Sequence, residues 1–369
     1  MMIEESSPIR KIILIFFISL YVLLSAYVML IFIASPDFGD RDGRITVSGM
    51  VHGTSYRPYV YRMVVPKLTE LVVALTPAEL ESSMNDELKQ NAVIGFIVGI
   101  NPMAVAHIFA LPDLLYTRFV AVLIMSGFIA GYVVVLYRLA AFLFPKQWAA
   151  SLFAPIMGLV MVPACTYPAL QIYDPAVLFF TTICYYYLAK QKWRHYLFWF
   201  FIATLNKETS VFITCFYCLY FFTRLPRKEF IRYLVIQILI YGYTKVGINF
   251  YYMGNPGTTL EDHFMRQVSG LLLSRYLLQD VVFVFISCYI LMSRWQEKPV
   301  FARYGLYIAP IIYISYLWYG TWGEYRVFFD IFPLLALLIT DTLVVGTGIA
   351  ACPIFNNNVP KVSSPCPAP

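Results

Sequence analysis

Apolar residues are grouped in long runs along this chain, and short polar or basic turns separate the runs. The runs lie near residues 11–34, 116–144, 148–162, 175–189, 196–205, 209–222, 230–251, 276–292, 300–319 and 327–345. A helix needs about 20 apolar residues to cross the hydrocarbon core of a bilayer. The pattern therefore predicts an all-α polytopic bundle of about ten transmembrane spans, in which the shorter runs are tilted or packed inside the bundle.

The segment between the first two runs, residues 35–115, is more polar and predicts a long first outer loop. Residues 61–75 have an amphipathic helical pattern, and residues 79–90 form a charged run that predicts a solvated face. Residues 91–111 are apolar but interrupted by glycine and proline, so that either a span or a re-entrant segment fits them. The Pro-, Asn- and Ser-rich residues 351–369 predict a disordered tail, which leaves residues 1–350 as a single transmembrane domain.

Composition strengthens the membrane assignment. Hydrophobic residues make up 60% of the 369 positions and charged residues only 13%, whereas soluble domains carry about 25% charged residues. Such a chain has too little charge to coat a water-facing surface and is too apolar to be disordered. Among the seven cysteines, Cys215 and Cys218 form a C-x-x-C pair inside an apolar run, which indicates core packing rather than a redox or metal pair.

The charged residues are divided between the two sides of the predicted bundle. Alternate turns are basic and hold Arg138, Lys146, Lys190, Lys192, Arg194, Arg224, Arg227, Lys228, Arg294 and Lys298. The opposite turns hold most of the carboxylates. Basic loops face the cytoplasm, so both termini are expected there. The net charge of +6 therefore reflects membrane orientation and does not indicate nucleic-acid binding.

The first candidate residues lie on the predicted outer side, close to the end of the first span. Asp37, Asp40 and Asp42 lie in S-P-D-F-G-D-R-D-G, where a carboxylate could serve as a general base or hold a divalent ion. A simple Asp/Gly turn explains the same string. Next, Y-R-P-Y-V-Y-R contributes Arg57, Tyr59 and Arg62. The arginines suit phosphate oxygens, and the tyrosine suits stacking on a sugar. An interfacial aromatic belt with snorkelling arginines explains the same residues.

Three later motifs also lie at outer ends of predicted spans. Asp174 in Q-I-Y-D-P fits either a helix cap beside Pro175 or a ligand contact. L-N-K-E-T-S places charged side chains at or below the membrane surface, where each costs about 2.5–3.5 kcal/mol on insertion scales. W-Y-G-T-W-G-E-Y-R offers an aromatic and cationic wall, although its arginine and Asp330 are four apart and could pair along a helix. The candidate residues of these motifs and of the neighbouring outer turn are Asp174, Lys207, Glu208, His263, Trp322, Glu324 and Arg326.

Together these motifs resemble the GT-C superfamily of polytopic membrane glycosyltransferases, and in particular bacterial envelope proteins of that type. The resemblance rests on the acidic first loop, Y-R-P-Y-V-Y-R, Y-D-P, N-K-E-T and G-E-Y-R. It implies transfer of a sugar from a polyprenyl-phosphate donor to a glycan, lipid or protein acceptor at the outer face of a bacterial inner membrane. It further implies a first-loop general base, Asp40 before Asp42, and cationic residues that neutralise the phosphate.

The chain departs from the family in having no soluble C-terminal domain and no clear paired-acid signature. The need for a divalent metal cofactor is therefore left open, as is the choice between the two aspartates. Two other functions fit the same layout: a glycan polymerase or ligase of the O-antigen type, in which arginines dominate, and a transporter or flippase, because intramembrane ionisable residues also mark ion pathways.

Overall fold

The computed structural model describes residues 8–34, 44–90, 115–164, 171–259, 262–273, 277–320 and 324–349. Within these ranges the regular elements are all helical, so the predicted all-α class is confirmed there. The α-helices, numbered α1 to α14 in chain order, are Pro8–Ile33, Val47–Val51, Val64–Ala74, Ala78–Gln90, Leu115–Leu143, Trp148–Ala164, Asp174–Ala189, Trp193–Asn206, Val211–Phe221, Arg227–Tyr251, Phe264–Leu273, Leu277–Met292, Val300–Tyr319 and Phe332–Thr340.

Three of the described helices, α1, α5 and α13, are long and apolar enough to cross a membrane. Shorter apolar helices cover Trp148–Pro163, Glu208–Phe221 and Phe332–Val345. The side chains of Ile12 and Leu23 on α1 are 66% and 67% exposed. Large apolar side chains exposed along a whole helix indicate contact with lipid rather than water, which agrees with a membrane protein.

The core is built around α5 and α7, which make the most extensive helix–helix contact among the described residues. Helix α6 joins α5 on one side, and α8 joins α7 on the other. Aromatic rings fill the space between α7, α9 and α13, where the ring centroids of Tyr185 and Phe216, and of Phe216 and Phe301, are 4.8 Å apart. Helix α14 lies against α6 and α13 and closes the bundle.

Contacts between turns define one end of the bundle, which we call the basic end. The guanidinium of Arg10 on α1 lies over the ring of Trp148 at the start of α6. The Lys190 ammonium at the end of α7 lies over Phe142 near the end of α5. Arg224, after α9, donates to the hydroxyl of Tyr304 near the start of α13. The basic turns of the sequence therefore share one end.

Residues 44–90, which we call the outer segment after the side predicted for them, lie at the opposite end and hold three of the smaller helices. Helix α3, Val64–Ala74, occupies most of the predicted amphipathic stretch, and α4, Ala78–Gln90, carries the charged run on a largely exposed surface. The side chain of Asn85 accepts a 2.8 Å bond from the Tyr116 amide, and the Tyr116 hydroxyl is 2.9 Å from that of Thr76. These bonds tie the outer segment to the start of α5.

The last predicted apolar run, 327–345, is divided into three parts. A 3₁₀-helix covers Tyr325–Asp330, α14 begins only at Phe332, and a π-helical turn covers Asp341–Val345. Pro333 lies in the first turn of α14, where its missing N–H leaves no intrahelical bond unmade. The segments 91–111 and 351–369, for which a re-entrant segment and a disordered tail are expected, lie outside the described residues.

Candidate functional site

The site begins with an arginine from the outer segment that reaches the α8–α9 turn. The Nη2 atom of Arg62 is 2.6 Å from Oε1 of Glu208, and its Nη1 donates a 2.8 Å bond to the hydroxyl of Tyr173. The guanidinium also lies over two aromatic rings, 4.6 Å from the centroid of Tyr173 and 5.2 Å from that of Tyr59. A charge that is 7% exposed is stable only because it is paired in this way.

Asp174, which is fully buried, connects three separate parts of the chain. Its Oδ2 accepts bonds from Nη1 of Arg326 at 3.0 Å and from the amide of Gln171 at 2.9 Å. Its Oδ1 is 3.9 Å from Nζ of Lys207. Of the two interpretations left open for Asp174, the helix cap is not observed, because Tyr173 is the N-cap of α7 and Asp174 is the first residue of the helix. The carboxylate instead binds a cation 152 positions away.

Arg326 is held between two carboxylates. It bonds Asp174 on one side and the Oε1 of Glu324 on the other, with distances of 2.9 Å from Nε and 2.7 Å from Nη2. The structure does not contain the alternative pairing of Arg326 with Asp330 along an α-helix. These residues form a 3₁₀-helix, in which positions i and i+3 face the same side and i+4 does not.

The charged side chains surround a small cavity between the α8–α9 turn, α13 and the 3₁₀-helix before α14. Its volume is about 100 Å³, which is room for roughly three water molecules. The lining residues are Arg62, Tyr173, Lys207, Glu208, Thr209, Phe212, Ile312, Ser315, Tyr316, Tyr319, Gly320, Glu324 and Val327. One wall is therefore charged and the other, from α9 and α13, is aromatic and aliphatic.

Lys207 is the least engaged cation of this cavity. Its ammonium lies 3.9 Å from Asp174, beyond hydrogen-bond distance, and 5.8 Å from the centroid of the Tyr173 ring. Among the described residues it has no hydrogen-bond acceptor, although its side chain is only 9% exposed. Arg62 and Arg326 are already committed to carboxylates, so Lys207 is the group with donors to offer a ligand.

Charge in the cluster is balanced. Three cations, Arg62, Lys207 and Arg326, face three carboxylates, Asp174, Glu208 and Glu324. The carboxyl of Asp330 beside Lys207 and the ammonium of Lys245 beside Glu208 add one titratable group of each sign. Burial is the largest single influence on the pKa of Arg62 and lowers it, but Glu208, Tyr173 and Tyr59 together raise that pKa above its usual value. For Arg326, burial is likewise outweighed by Glu324, Tyr173 and Asp174 together, which hold the pKa well above the ordinary range. Both arginines are therefore charged at neutral pH.

Helix α10 supports the α8–α9 turn with residues that the sequence analysis missed. The hydroxyl of Tyr241 donates a 3.0 Å bond to the carbonyl of Glu208, and Nζ of Lys245 donates a 2.7 Å bond to the carbonyl of Thr204. Tyr173, the aromatic centre of the cluster, was quoted in a motif but not predicted as a site residue. Lys245 could have been found, since a single cation within an apolar run is itself a functional signal.

Of the predicted site residues, six line the cavity or pair beside it: Arg62, Asp174, Lys207, Glu208, Glu324 and Arg326. Tyr59 contacts Arg62 from outside. Arg57 instead bonds the carbonyl of Gly257 at 2.7 Å, and His263 bonds Trp318 through its backbone amide; neither lines the cavity. Asp40, Asp42 and Trp322 lie outside the described residues. Within those residues no group of three His, Cys, Asp or Glu side chains could hold a metal ion.

Comparison with known proteins adds no assignment to this geometry. No protein-family model, no curated protein and no solved structure matches the chain.

Proposed function

We propose that this protein is a polytopic membrane glycosyltransferase of the GT-C type. It transfers a sugar from a polyprenyl-phosphate donor to an envelope glycan, lipid or protein acceptor on the outer face of a bacterial inner membrane. The chain crosses the bilayer ten times, with α1, α5 to α10 and α12 to α14, and both termini lie on the cytoplasmic side with the basic end.

One observation carries this proposal: motifs from four separated stretches of sequence meet around a single cavity. Arg62, Asp174, the Lys207–Glu208 pair and Arg326 are connected by hydrogen bonds of 2.6–3.0 Å and by the 3.9 Å ion pair between Lys207 and Asp174. Burying so many charges is costly. A bundle that needed only stability would be served as well by apolar packing, so the cluster is best explained by binding or chemistry.

The cavity fits the charged head of an amphipathic donor. Lys207 provides the donors for phosphate oxygens, and the charge of Arg62, whose nitrogens bond Glu208 and Tyr173, lies beside it. Phe212 and Ile312 on the opposite wall provide an apolar surface for the first units of a polyprenyl chain. A volume of about 100 Å³ holds a phosphate-sized group, so the sugar and the acceptor occupy the space beyond the described residues.

The proposed reaction is a single inverting displacement. Asp40, or Asp42 in its place, accepts the proton of an acceptor hydroxyl, whose oxygen attacks the anomeric carbon of the sugar. The bond between that carbon and the phosphate oxygen breaks, and the polyprenyl phosphate leaves with the electron pair. Lys207 and Arg62 stabilise the negative charge that develops on the leaving phosphate.

Binding of a polyprenyl phosphate to the purified protein in lipid nanodiscs tests the phosphate site directly. We expect decaprenyl phosphate to bind the wild type, with affinity reduced at least tenfold in Lys207→Gln. Arg57→Gln is the matched control, because Arg57 belongs to the same outer segment but bonds Gly257 instead. Equal affinity of the wild type and Lys207→Gln would contradict the proposal.

Catalysis is tested separately by the two aspartates. Release of polyprenyl phosphate from a radiolabelled polyprenyl-phosphate sugar should be lost in Asp40→Asn, or in Asp42→Asn if that residue is the base, while donor binding is kept. Unchanged turnover in both variants, with loss in Arg62→Gln, would favour an O-antigen-type polymerase or ligase.

A transporter is the second candidate, and the charge balance of the cluster favours it. Three buried cations matched by three carboxylates resemble the ionisable networks that line ion pathways in membranes. Proton- or sodium-coupled uptake of labelled substrate into proteoliposomes, without sugar transfer, would select this function over the first.

A further inference from the structure

A second cavity lies at the basic end, on the other side of the molecule from the charged cluster. Three turns form it: the α5–α6 turn, the α12–α13 turn and the π-helical turn that ends α14. Its volume is about 320 Å³, three times that of the first cavity and enough for about ten water molecules. Its polar lining consists of Lys146, Gln147, Arg294, Glu297 and Asp341.

Three buried polar atoms on residues that line this cavity have no hydrogen-bond partner among the described residues. They are Oε1 of Gln147, Nη1 of Arg294 and Oδ2 of Asp341. The nearest charge to the last of these is the ammonium of Lys298, 3.8 Å away. Buried polar atoms in native proteins nearly always have a partner. These three atoms are closed to solvent, so a ligand in the cavity bonds them only after their side chains turn toward it. One of these atoms is a donor and two are acceptors.

The charges around the cavity favour an anion. Lys146 and Arg294 face it, with Lys298 buried behind, against the carboxylates of Glu297 and Asp341, which leaves one positive charge in excess. Glu297 is engaged through its ion pair with Nη2 of Arg294, and Nη1 lies beside Gly346 at the end of the π-helical turn, so the guanidinium bonds a ligand by turning toward the cavity. The other turns at the basic end add Arg10, Lys190 and Arg224, and the field of these cations attracts anions to this end.

We propose that this cavity binds a phosphate ester that also carries hydroxyl groups, of the glycerol-phosphate type. The phosphate oxygens accept bonds from Arg294 and Lys146, and the hydroxyls donate to Gln147 and Asp341. Both the excess of positive charge and the mixture of free donor and acceptor atoms are then accounted for. This proposal is independent of the sugar-transfer function.

The π-helical turn gives the site its shape. Asp341–Val345 replaces the last α-helical turn of α14, and insertions of this kind are common at functional sites. A methyl group built on Gly346 would lie 2.9 Å from Nη1 of Arg294 and 2.5 Å from the carbonyl of Thr342. The absence of a side chain at this position therefore leaves room for the guanidinium against the end of the helix.

Calorimetry with sn-glycerol 3-phosphate and inorganic phosphate, on the full chain in detergent, tests the site. Native mass spectrometry with phosphatidylglycerol, in nanodiscs of zwitterionic lipid, tests whether the ligand is a lipid head group. Binding in the first arm identifies a soluble ester, and binding in the second arm alone identifies a lipid; either result supports the proposal. Absence of binding in both arms would overturn it.

Variants show whether the binding occurs in this cavity. Arg294→Gln and Lys146→Gln should each weaken binding at least tenfold. Lys146 is exposed, so its variant remains informative if Arg294→Gln fails to fold. Arg224→Gln is the matched control, because this arginine lies at the same end but contacts Tyr220 and Tyr304 instead. An equal loss in Arg224→Gln would mean general surface attraction and would also overturn the proposal.

Discussion

The two ends of the bundle treat buried charge in different ways. At the outer end, Arg62 and Arg326 each have a carboxylate within 3.0 Å, and cations and carboxylates are equal in number. At the basic end, Arg294 and Asp341 keep polar atoms without hydrogen-bond partners and line a larger cavity. Buried oxygens without hydrogen-bond partners occur at both ends, on Asp174 and Asp330 as well as on Asp341. What distinguishes the basic end is its larger cavity and its excess of positive charge.

The largest loss of stability is expected from substitution of Asp174, the carboxylate that Arg326 and Lys207 share. Asp174→Asn leaves Arg326 and Lys207 buried without the charge that both face, and breaking a buried pair costs about 3–5 kcal/mol. The free energy of unfolding, from denaturant titration in mixed micelles, should fall by that amount. Asp86→Asn removes an exposed partner of Lys89 and should change it by less than about 1 kcal/mol. Equal losses in the two variants would contradict a network held by Asp174.

A double-mutant cycle measures how strongly the outer segment is coupled to the α8–α9 turn. Arg62→Met and Glu208→Leu should each destabilise the protein, and the double variant should recover a coupling energy of about 2 kcal/mol. The half-exposed pair Lys67–Glu70 provides the reference cycle, with an expected coupling of about 0.5 kcal/mol. Additive effects of the first pair would show that the 2.6 Å contact contributes no stability.

At the basic end, removal of a buried cation should cost less. Lys298→Met deprives the carbonyl of Leu338 and the hydroxyl of Thr342 of their donor, for about 1–3 kcal/mol. The loss is smaller than for Asp174, because the remaining carboxylate of Asp341 borders a cavity that can admit water. Denaturant titration measures it, with Lys146→Met as the exposed control. A loss above that of Asp174→Asn would reverse the comparison between the ends.

The smallest effect on stability is expected from Lys207→Gln, about 1 kcal/mol, because the glutamine amide still offers donors to the carboxylate of Asp174. Its ammonium makes no hydrogen bond within the described chain, and Asp174 keeps Arg326 as a partner. A nearly unchanged midpoint of thermal unfolding in detergent would separate ligand binding from scaffolding at this position. A loss comparable to that of Asp174→Asn would instead make Lys207 a structural partner.

Hydropathy predicted most helix positions because lipid and core both select apolar side chains. Helix α13 has the predicted bounds, whereas α10 begins at Arg227, three residues before its apolar run. The difference arises because helical hydrogen bonds continue through charged residues that carry no hydropathy signal. The predicted span 327–345 wrongly included part of the 3₁₀-helix Tyr325–Asp330, because Val327, Phe328 and Phe329 are apolar although they are not α-helical.

The site was predicted in part, and the misses have a common physical cause. Arg57 and Arg62 belong to one motif of alternating tyrosine and arginine, but the first bonds Gly257 and the second bonds Glu208. No local feature separates them, since both partners lie more than 140 positions away along the chain. Lys207 and Glu208 were found because charge at membrane depth is costly wherever its partners lie.

The bond between Arg57 and Gly257 has a consequence for how the outer segment is attached. The Arg57 amide donates to the carbonyl of Pro256, and Asn255 donates to the carbonyls of Gly53 and Ser55. A methyl group on Gly257 would lie 2.6 Å from the Arg57 carbonyl oxygen, at a φ of +94° that other residues rarely adopt. A single added carbon atom there would force the backbone of Asn255–Gly257 away from the backbone of Gly53–Arg57 and detach the outer segment from the chain after α10.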